Sequence, residues 1–277
     1  MKLAPYIQEA VLGIRARVNS AVDSRWNNAP FGTAPHATRE QYLRWHQQAQ
    51  QQEYYEIDRL ERDLGYTIDR KWLDELALHT QIVKKKSDLA YPHGRLLYTL
   101  MRNMLSNSGL DFATVLETGT ARGFSALCMS KAMADQGVAG RIVTLDVLPH
   151  LKRQIWNCID DHDGPKSRAE ILQPWADLAR NILFLQGDTL DLLPKVGLDR
   201  INFAFLDAQH IESSVMQEFE LVSARQKKGD MIVFDDVTSK LFPGVVKAVD
   251  RIENSGLYSV KRLVISDSRA YAWAQRV

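Results

Sequence analysis

Carboxylates follow several short apolar runs in the second half of the chain. Glu117 ends the run 114–117, Asp146 ends the run 141–146, and Gly187-Asp188 follow the run 182–186. In a parallel sheet the carboxyl ends of the strands meet at one edge, where ligands bind. We therefore expect these acids to hold one polar ligand, with Asp146 placed to bind ribose hydroxyls. Each acid alone is equally typical of a turn or a helix cap.

The first run leads into a glycine-bearing turn, ETGTARGFS over residues 117–125. Gly119 would permit a tight turn, and Gly123 a close approach of the backbone to a ligand. The third glycine of the dinucleotide fingerprint is absent, and the Glu117 carboxylate would repel a pyrophosphate. A ligand with an amino group fits better, such as S-adenosylmethionine, with Thr120 and Ser125 as further contacts. The alternative is that the glycines serve packing alone.

Three more acids follow the next two apolar runs. Asp207 ends the run 201–207, and Asp235-Asp236 follow the run 231–234. Such oxygen ligands on adjacent strand ends suit Mg²⁺ or a similar divalent cation better than zinc. A helix cap with a solvated charge is the alternative for the adjacent pair. His210 is either a general base, titrating near neutrality, or an exposed residue at a helix start.

These runs alternate with helical stretches, which is typical of an α/β fold with a doubly wound, mostly parallel, Rossmann-like sheet. The last two runs, 258–265 and 270–274, predict an antiparallel hairpin at the sheet edge, for seven strands in all. The pattern over residues 1–110 predicts a loop over 26–35 followed by helices. The first helix is long and polar and covers 37–65, the second begins behind Asp69, and the third covers 94–105. We expect 1–110 to cap the substrate site and 111–277 to bind the cofactor.

The composition is that of a folded soluble protein. Of 277 residues, 45% are hydrophobic and 25% charged, and the formal net charge is +1. That charge leaves no global field for binding nucleic acid. Two cysteines without a metal-binding spacing fit a reducing cytoplasm. No run approaches the ~20 apolar residues of a membrane span, and the first residues lack the apolar core of a signal peptide.

The ordered set of motifs resembles the class I S-adenosylmethionine-dependent methyltransferases, especially metal-dependent small-molecule O-methyltransferases of the catechol type. The FLDAQH and VFDD segments are most similar to bacterial relatives that act on sugars and antibiotic precursors. This resemblance covers about residues 111–277. It implies Mg²⁺ binding by Asp207, Asp235 and Asp236, and a base three positions after the first acid. Catechol-type enzymes have Lys there, whereas this chain has His210; their third ligand is commonly Asn, whereas Asp236 matches the sugar-directed relatives.

The resemblance implies a small-molecule hydroxyl acceptor and no nucleic acid. Lys84-Lys85-Lys86, His93 and Arg95 are candidate contacts for an anionic acceptor such as a phosphorylated sugar, although a solvated charge run explains the lysines better. Tyr91, His93 and Arg95 could also be capping and packing residues before a helix. Methyl transfer to nitrogen and a non-catalytic ligand-binding protein with the same fold are the alternatives. A homo-oligomer is compatible with the sequence.

Overall fold

A seven-stranded sheet forms the centre of the molecule. The computed structural model of the protein describes residues 26–85 and 88–277. The strands follow the order β3-β2-β1-β4-β5-β7-β6 across the sheet. They are β1 Phe112–Thr118, β2 Ala139–Asp146, β3 Ile182–Gln186, β4 Phe203–Leu206, β5 Met231–Phe234, β6 Tyr258–Ser266 and β7 Arg269–Arg276. The predicted doubly wound fold is confirmed, because β1 to β5 pair in parallel and the strand order reverses between β1 and β4.

Helices lie on both faces of this sheet and in the segment before it. The longer ones are α1 Arg39–Gln51, α2 Tyr55–Leu64, α3 Arg70–Thr80, α4 Tyr91–Ser108, α5 Phe124–Gln136, α6 Glu212–Ser223 and α7 Pro243–Asn254. Short helical turns fill the connections around the third strand, at Ile159–Asp163, Arg168–Ile171, Gln173–Trp175, Ala176–Ala179, Thr189–Leu192 and Leu193–Lys195. No helix in the described ranges is long and apolar enough to cross a bilayer.

The single long helix predicted over 37–65 is wrong, because the chain breaks between α1 and α2. Tyr54 precedes α2 in a non-helical conformation and is buried, with its ring 6.3 Å from that of Tyr91. Ile57, one turn later, is fully buried. The break contains no proline or glycine, so tertiary packing of Tyr54 and Ile57 overrides the helix propensity of the intervening residues.

The residues of the sheet alternate between two apolar layers. Val115, Phe205 and Val233 face the layer that also contains the N-terminal helices. Leu116 and Ala204 face the opposite layer, which α6 and α7 cover. This period of two buries both faces of the central strands, as a doubly wound sheet requires. The N-terminal helices therefore share one hydrophobic layer with the sheet.

The C-terminal hairpin positions one further strand beside the site. β6 and β7 are joined by the two residues between Ser266 and Arg269, which forces the two strands to be antiparallel. β7 lies between β5 and β6, with Phe234 opposite Ala272. The antiparallel strand is thus one place in from the edge, and β6 forms the edge. As a result, Arg269 at the start of β7 lies next to the end of β5.

Candidate active site

Two cavities lie side by side at the carboxyl ends of the central strands. The first, here called the Asp146 cavity, has a volume of about 300 Å³. The second, here called the Asp235 cavity, has a volume of about 220 Å³. Both are lined by Gly119, Ala121 and Asp207. The two cavities therefore meet at the glycine turn and the end of β4. This is the sheet edge at which the sequence predicts a ligand.

The glycine turn follows β1 and leads directly into α5. Gly119 has φ 87°, and a Cβ there would overlap the backbone carbonyl oxygen of Asp207. Gly119 is therefore required both by its conformation and by the approach of β4. Gly123 has φ 92°, and a Cβ there would lie 2.8 Å from Leu172 Cδ1. The close approach at Gly123 is thus to a side chain of the protein itself.

Glu117 is fully buried at the end of β1 and lines neither cavity. Its carboxylate accepts hydrogen bonds from the hydroxyls of Ser125 and Thr144. Thr120 Oγ1 in turn contacts Thr144 Oγ1. Burial raises the pKa of Glu117 to about 7, although the two hydroxyls oppose that shift. Glu117 therefore supports the turn from beneath, through Ser125 directly and through Thr144 to Thr120. Ser125 and Thr120 both line the Asp235 cavity.

Asp146 and Asp188 both line the Asp146 cavity. Asp146 accepts a hydrogen bond from Leu148 N at 2.7 Å, another from Ala121 N, and lies 3.7 Å from the Arg168 guanidinium. Asp188 caps the helical turn after β3 through Leu190 N at 2.9 Å. Gly187 N donates to Asp146 O at 2.8 Å, which joins the ends of β2 and β3. The structure thus brings the predicted acids together, with a capping role for Asp188 as well.

The three acids at the ends of β4 and β5 form a cluster with Arg269. Arg269 Nη1 donates to both carboxylate oxygens of Asp235 at 3.0 Å and to Asp236 Oδ1 at 2.9 Å. Burial and the charges of Asp235 and Asp236 raise the pKa of Asp207 to about 8. Asp236 has φ 57°, in the left-handed region that residues other than glycine rarely adopt. Such strain at a carboxylate beside a cavity is typical of a functional site.

His210 begins the segment after β4 and faces the same cluster. Its Nε2 lies 2.9 Å from Asp236 Oδ2 and 3.7 Å from Asp207 Oδ1. Its ring lies 4.3 Å from that of Phe242. Burial opposes the charged imidazolium, but the two carboxylates outweigh burial and raise the pKa of His210 to about 10. His210 is therefore an ion-pair partner of the acids, and its side chain is 32% exposed.

The donor atoms in this cluster fit a divalent cation. One oxygen or nitrogen of each of Asp207, His210 and Asp236 lies within 4.8 Å of the others. The two carboxylates suit Mg²⁺ or Mn²⁺, whereas an imidazole donor is more typical of transition metals. Asp235 belongs to a similar group with His93 and Asp207, but both its oxygens already bind Arg269. The predicted metal site of three acids thus also contains Arg269, which offsets part of their negative charge.

The N-terminal segment supplies part of the wall of the Asp235 cavity, including Lys85 and His93. His93 is buried in the first turn of α4, with Nδ1 3.7 Å from Asp235 Oδ2. Arg95 is instead bound to Glu61 at 2.8 Å and to Asp58, and does not line the cavity. Tyr91, His93 and Arg95, which the sequence placed before a helix, therefore lie inside α4. Lys84 Nζ donates to His36 O at 3.2 Å, and Lys86 lies outside the described residues, as do residues 1–25.

Several residues of the site were not assigned a role from the sequence. Arg122 and Arg269 line the Asp235 cavity, and Trp26 and Phe31 line the Asp146 cavity. Arg122 lies within the glycine turn itself, so its position in that motif could have indicated that it lines the site. Trp26 and Phe31 belong to a loop far away in sequence, and nothing in the local pattern indicates that this loop reaches the sheet edge.

Known proteins resemble this chain in part of its sequence and in its fold. Residues 116–237 match the family model described as a methyltransferase domain. A search of curated proteins finds no significant match. Among solved structures, the O-methyltransferase TomG from Streptomyces achromogenes, in complex with SAM, is similar at 18% identity and a TM-score of 0.54, over 76% of this chain and 91% of TomG.

Two further solved structures have the same fold. An O-methyltransferase from Bacillus cereus in complex with SAH is 16% identical, with a TM-score of 0.52 over 87% of this chain and 100% of that one. The SAH-bound methyltransferase PaMTH1 from Podospora anserina is 12% identical, with a TM-score of 0.51 over 100% of this chain and 99% of that one. Residues 116–237 thus match a methyltransferase-domain model, and the chain shares its fold with these three methyltransferases.

Proposed function

We propose that the protein transfers a methyl group from S-adenosylmethionine to a hydroxyl oxygen of a small polar molecule. The observation that carries this proposal is that two cavities meet at Asp207, Gly119 and Ala121. Methyl transfer needs a donor and an acceptor held in line and shielded from water. Two adjoining cavities on one sheet edge support that arrangement.

The Asp146 cavity would hold the adenosine part of the donor. Asp146 offers carboxylate oxygens for ribose hydroxyls, and Leu145, Val147 and Leu148 supply apolar walls for a base. Phe31 adds an aromatic ring to the same cavity. The bound donor would supply an activated methyl group. Asp207, which lines both cavities, would pair one carboxylate oxygen with the donor's amino group and leave the other for a cation.

The Asp235 cavity would hold the acceptor beneath the N-terminal helices. Its lining is strongly charged, with Asp207, Asp235, Asp236, Lys85 and Arg269. Such a lining favours an acceptor with several hydroxyl groups, as in a sugar or a polar natural-product precursor, over an apolar ring. Residues up to about 110 would then cap the acceptor site, and residues 111–277, with Trp26 and Phe31, would bind the donor.

Asp207 and Asp236 would hold a Mg²⁺ or similar divalent cation, with His210 beside them. When bound, the cation would lower the pKa of the acceptor hydroxyl and fix its position. His210 would accept the hydroxyl proton as a neutral imidazole, because a cation on Asp207 and Asp236 would offset the carboxylate charges that raise its pKa. Arg269 keeps Asp235 and Asp236 in place from the other side.

Two measurements test this function separately. Calorimetry with S-adenosylhomocysteine tests the donor site, and no binding would contradict the proposal. Isotope-labelled S-adenosylmethionine, incubated with a panel of sugars, nucleotide-linked sugars and phenols, tests transfer, with the product located by mass spectrometry. We expect a label on an oxygen. A label on nitrogen would reject the oxygen assignment, and donor binding without transfer to any cell-extract component would favour a non-catalytic role.

A further inference from the structure

Lys85 places a positive charge on the wall of the Asp235 cavity with no acid in contact. It belongs to the segment before α4 and lines that cavity. Among residues 26–85 and 88–277, no group accepts a hydrogen bond from its ammonium nitrogen, and no carboxylate oxygen lies within 4.0 Å of it. The residue is exposed overall, yet burial of the ammonium group and the charge of Arg269 lower the pKa of Lys85, against the effect of the three acids that line the same cavity. The acids of the protein therefore do not fully offset this charge.

The chain is held in place on both sides of Lys85. The side chain of Asn157 accepts a hydrogen bond from Lys84 N at 3.1 Å and donates one to Lys84 O at 2.8 Å. Further along the chain, the Asp88 carboxylate accepts a hydrogen bond from the Ser266 hydroxyl at 2.6 Å. A lysine of a solvated surface run does not require such contacts, so they indicate that the position of Lys85 at the cavity is specific.

The neighbouring lysine points elsewhere. Lys84 Nζ donates to the carbonyl oxygen of His36 at 3.2 Å, and Lys84 does not line the cavity. Of the two lysines of this run that the structure describes, Lys85 is thus the one that could contact an acceptor.

The acids of the cavity already have positive partners. Arg269 Nη1 contacts both Asp235 and Asp236, and His210 Nε2 lies 2.9 Å from Asp236. The ammonium group of the N-terminal segment is therefore not needed to balance these acids. For the same reason, an anion bound at that ammonium group would meet less repulsion than three unpaired carboxylates would cause.

We propose that Lys85 binds a carboxylate or phosphate group of the methyl acceptor, so that the acceptor is an anionic, hydroxylated small molecule. This inference rests on the proposed function and names the class of its acceptor. An ammonium group binds either anion through charge-assisted hydrogen bonds, which are about twice as strong as neutral ones. The hydroxyl to be methylated would lie at Asp207 and Asp236, and the anionic group at the wall that the N-terminal segment forms. Lys85 would thus distinguish the anionic acceptor from a neutral analogue.

The first experiment asks whether the acceptor is anionic. The small molecules of a cell extract are separated by anion exchange into a neutral and an anionic fraction. Each fraction is incubated with the protein, Mg²⁺ and isotope-labelled S-adenosylmethionine, and mass spectrometry locates the label. We expect the label in the anionic fraction. Phosphatase treatment of that fraction before the assay distinguishes the two anions, because it destroys a phosphorylated acceptor and leaves a carboxylated one intact.

The second experiment asks whether Lys85 binds the anionic group. Kinetics with the acceptor found in the first experiment give KM and kcat for the unmodified protein, Lys85→Met and Lys85→Arg. We expect Lys85→Met to raise the KM for the acceptor by about tenfold to a hundredfold, the range of a hydrogen bond to a charged group, with kcat nearly unchanged. Lys85→Arg should keep most of the affinity. Lys84→Met, the matched control, should leave KM unchanged.

Three results would overturn the proposal. They are a label found mainly in the neutral fraction, an unchanged KM in Lys85→Met, and an equal rise of KM in Lys84→Met, which would indicate a general effect of surface charge. Calorimetry with S-adenosylhomocysteine accompanies each variant, and weaker donor binding in Lys85→Met would also count against a specific contact with the acceptor. No label in either fraction would instead refute the proposed function, on which this inference rests.

Discussion

Arg269 Nη1 lies 3.0 Å from each carboxylate oxygen of Asp235. The pair joins the start of β7 to the end of β5, and both side chains are 3% exposed. Arg269 also reaches Asp236, so one guanidinium balances two of the three acids at this edge. Arg269 therefore offsets the repulsion among these acids, so that repulsion alone does not imply a metal ion. The case for a cation depends on Asp207, His210 and Asp236.

Replacing Arg269 should destabilise the protein strongly. Arg269→Met leaves Asp235 buried and unpaired, which costs about 3–5 kcal/mol. The matched control is Arg262→Met, which breaks surface pairs with Asp250 and Glu253 worth about 0–1 kcal/mol. Urea unfolding gives both free energies. Equal losses in the two variants would show that the buried pair has no special role in stability.

Removing divalent cations should stop methyl transfer and leave binding of S-adenosylhomocysteine largely intact. The reason is that the candidate cation donors lie at the ends of β4 and β5, whereas Asp146 lies on β2. Asp236→Asn should reduce turnover steeply, and His210→Ala by about a hundredfold or more if His210 is the base. Asp250→Asn, on the exposed side of α7, is the control. Full turnover after exhaustive treatment with EDTA would reject the cation.

Asp146→Ala should weaken binding of S-adenosylhomocysteine by about tenfold to a hundredfold. This is the range for losing a hydrogen bond to a charged group. Calorimetry measures the affinity, and circular dichroism checks that the variant is folded. Asp163→Ala removes an exposed acid paired with Arg39 and outside both cavities, so its affinity should be unchanged. An unaltered affinity in folded Asp146→Ala would remove Asp146 from the donor site.

The stability of the protein should fall with rising pH because of Glu117. Burial raises its pKa from the usual 4.5 to about 7 in the folded protein. The folded state therefore holds this proton more tightly than the unfolded chain, and its contribution to stability is complete below pH 4.5 and lost as the pH rises through 7. Glu117→Gln should flatten the pH dependence over this range, measured by urea unfolding. Glu253→Gln, an exposed control, should not, and an unchanged slope in Glu117→Gln would contradict the assignment.

Gly119→Ala should damage the protein far more than Gly137→Ala. Both glycines have positive φ, which costs alanine about 1–3 kcal/mol. A Cβ at Gly137 meets nothing within 4 Å, whereas one at Gly119 overlaps the backbone of Asp207. Because that carbonyl belongs to the site, Gly119→Ala should also abolish binding of S-adenosylhomocysteine. Equal free energies of unfolding for the two variants would show that β4 can move away from the turn.

The sheet could be predicted because its residues carry local signals. Alternating or continuous apolar runs place β1, β2, β3 and β5 close to their observed bounds, and Asp69 caps α3 as its position before an apolar helix predicts. The run 201–207 was longer than the observed β4, Phe203–Leu206. The glycine turn was recognisable because glycine is required where φ is positive.

The ion pairs of the site could not be predicted, because they depend on register between distant segments. Arg269 reaches Asp235 only because β7 lies beside β5, and the predicted edge hairpin did not specify which of its two strands joins the sheet. The positive charge of Arg95 suggested a contact with an anionic acceptor. Instead, Arg95 on α4 binds Glu61 on α2 and does not line the Asp235 cavity. The break before α2 likewise depends on the contact of Tyr54 with Tyr91.

Gly94 in α4 lies directly against α5. A Cβ at this position would be 2.7 Å from Phe124 Cζ and 2.9 Å from Cys128 Sγ, and the two helices share one apolar layer with the sheet. Contact this tight leaves no hinge between them. The two helices, which both line the Asp235 cavity, should therefore unfold in a single cooperative transition. The amide hydrogens of α4 should exchange as slowly as those of the central strands.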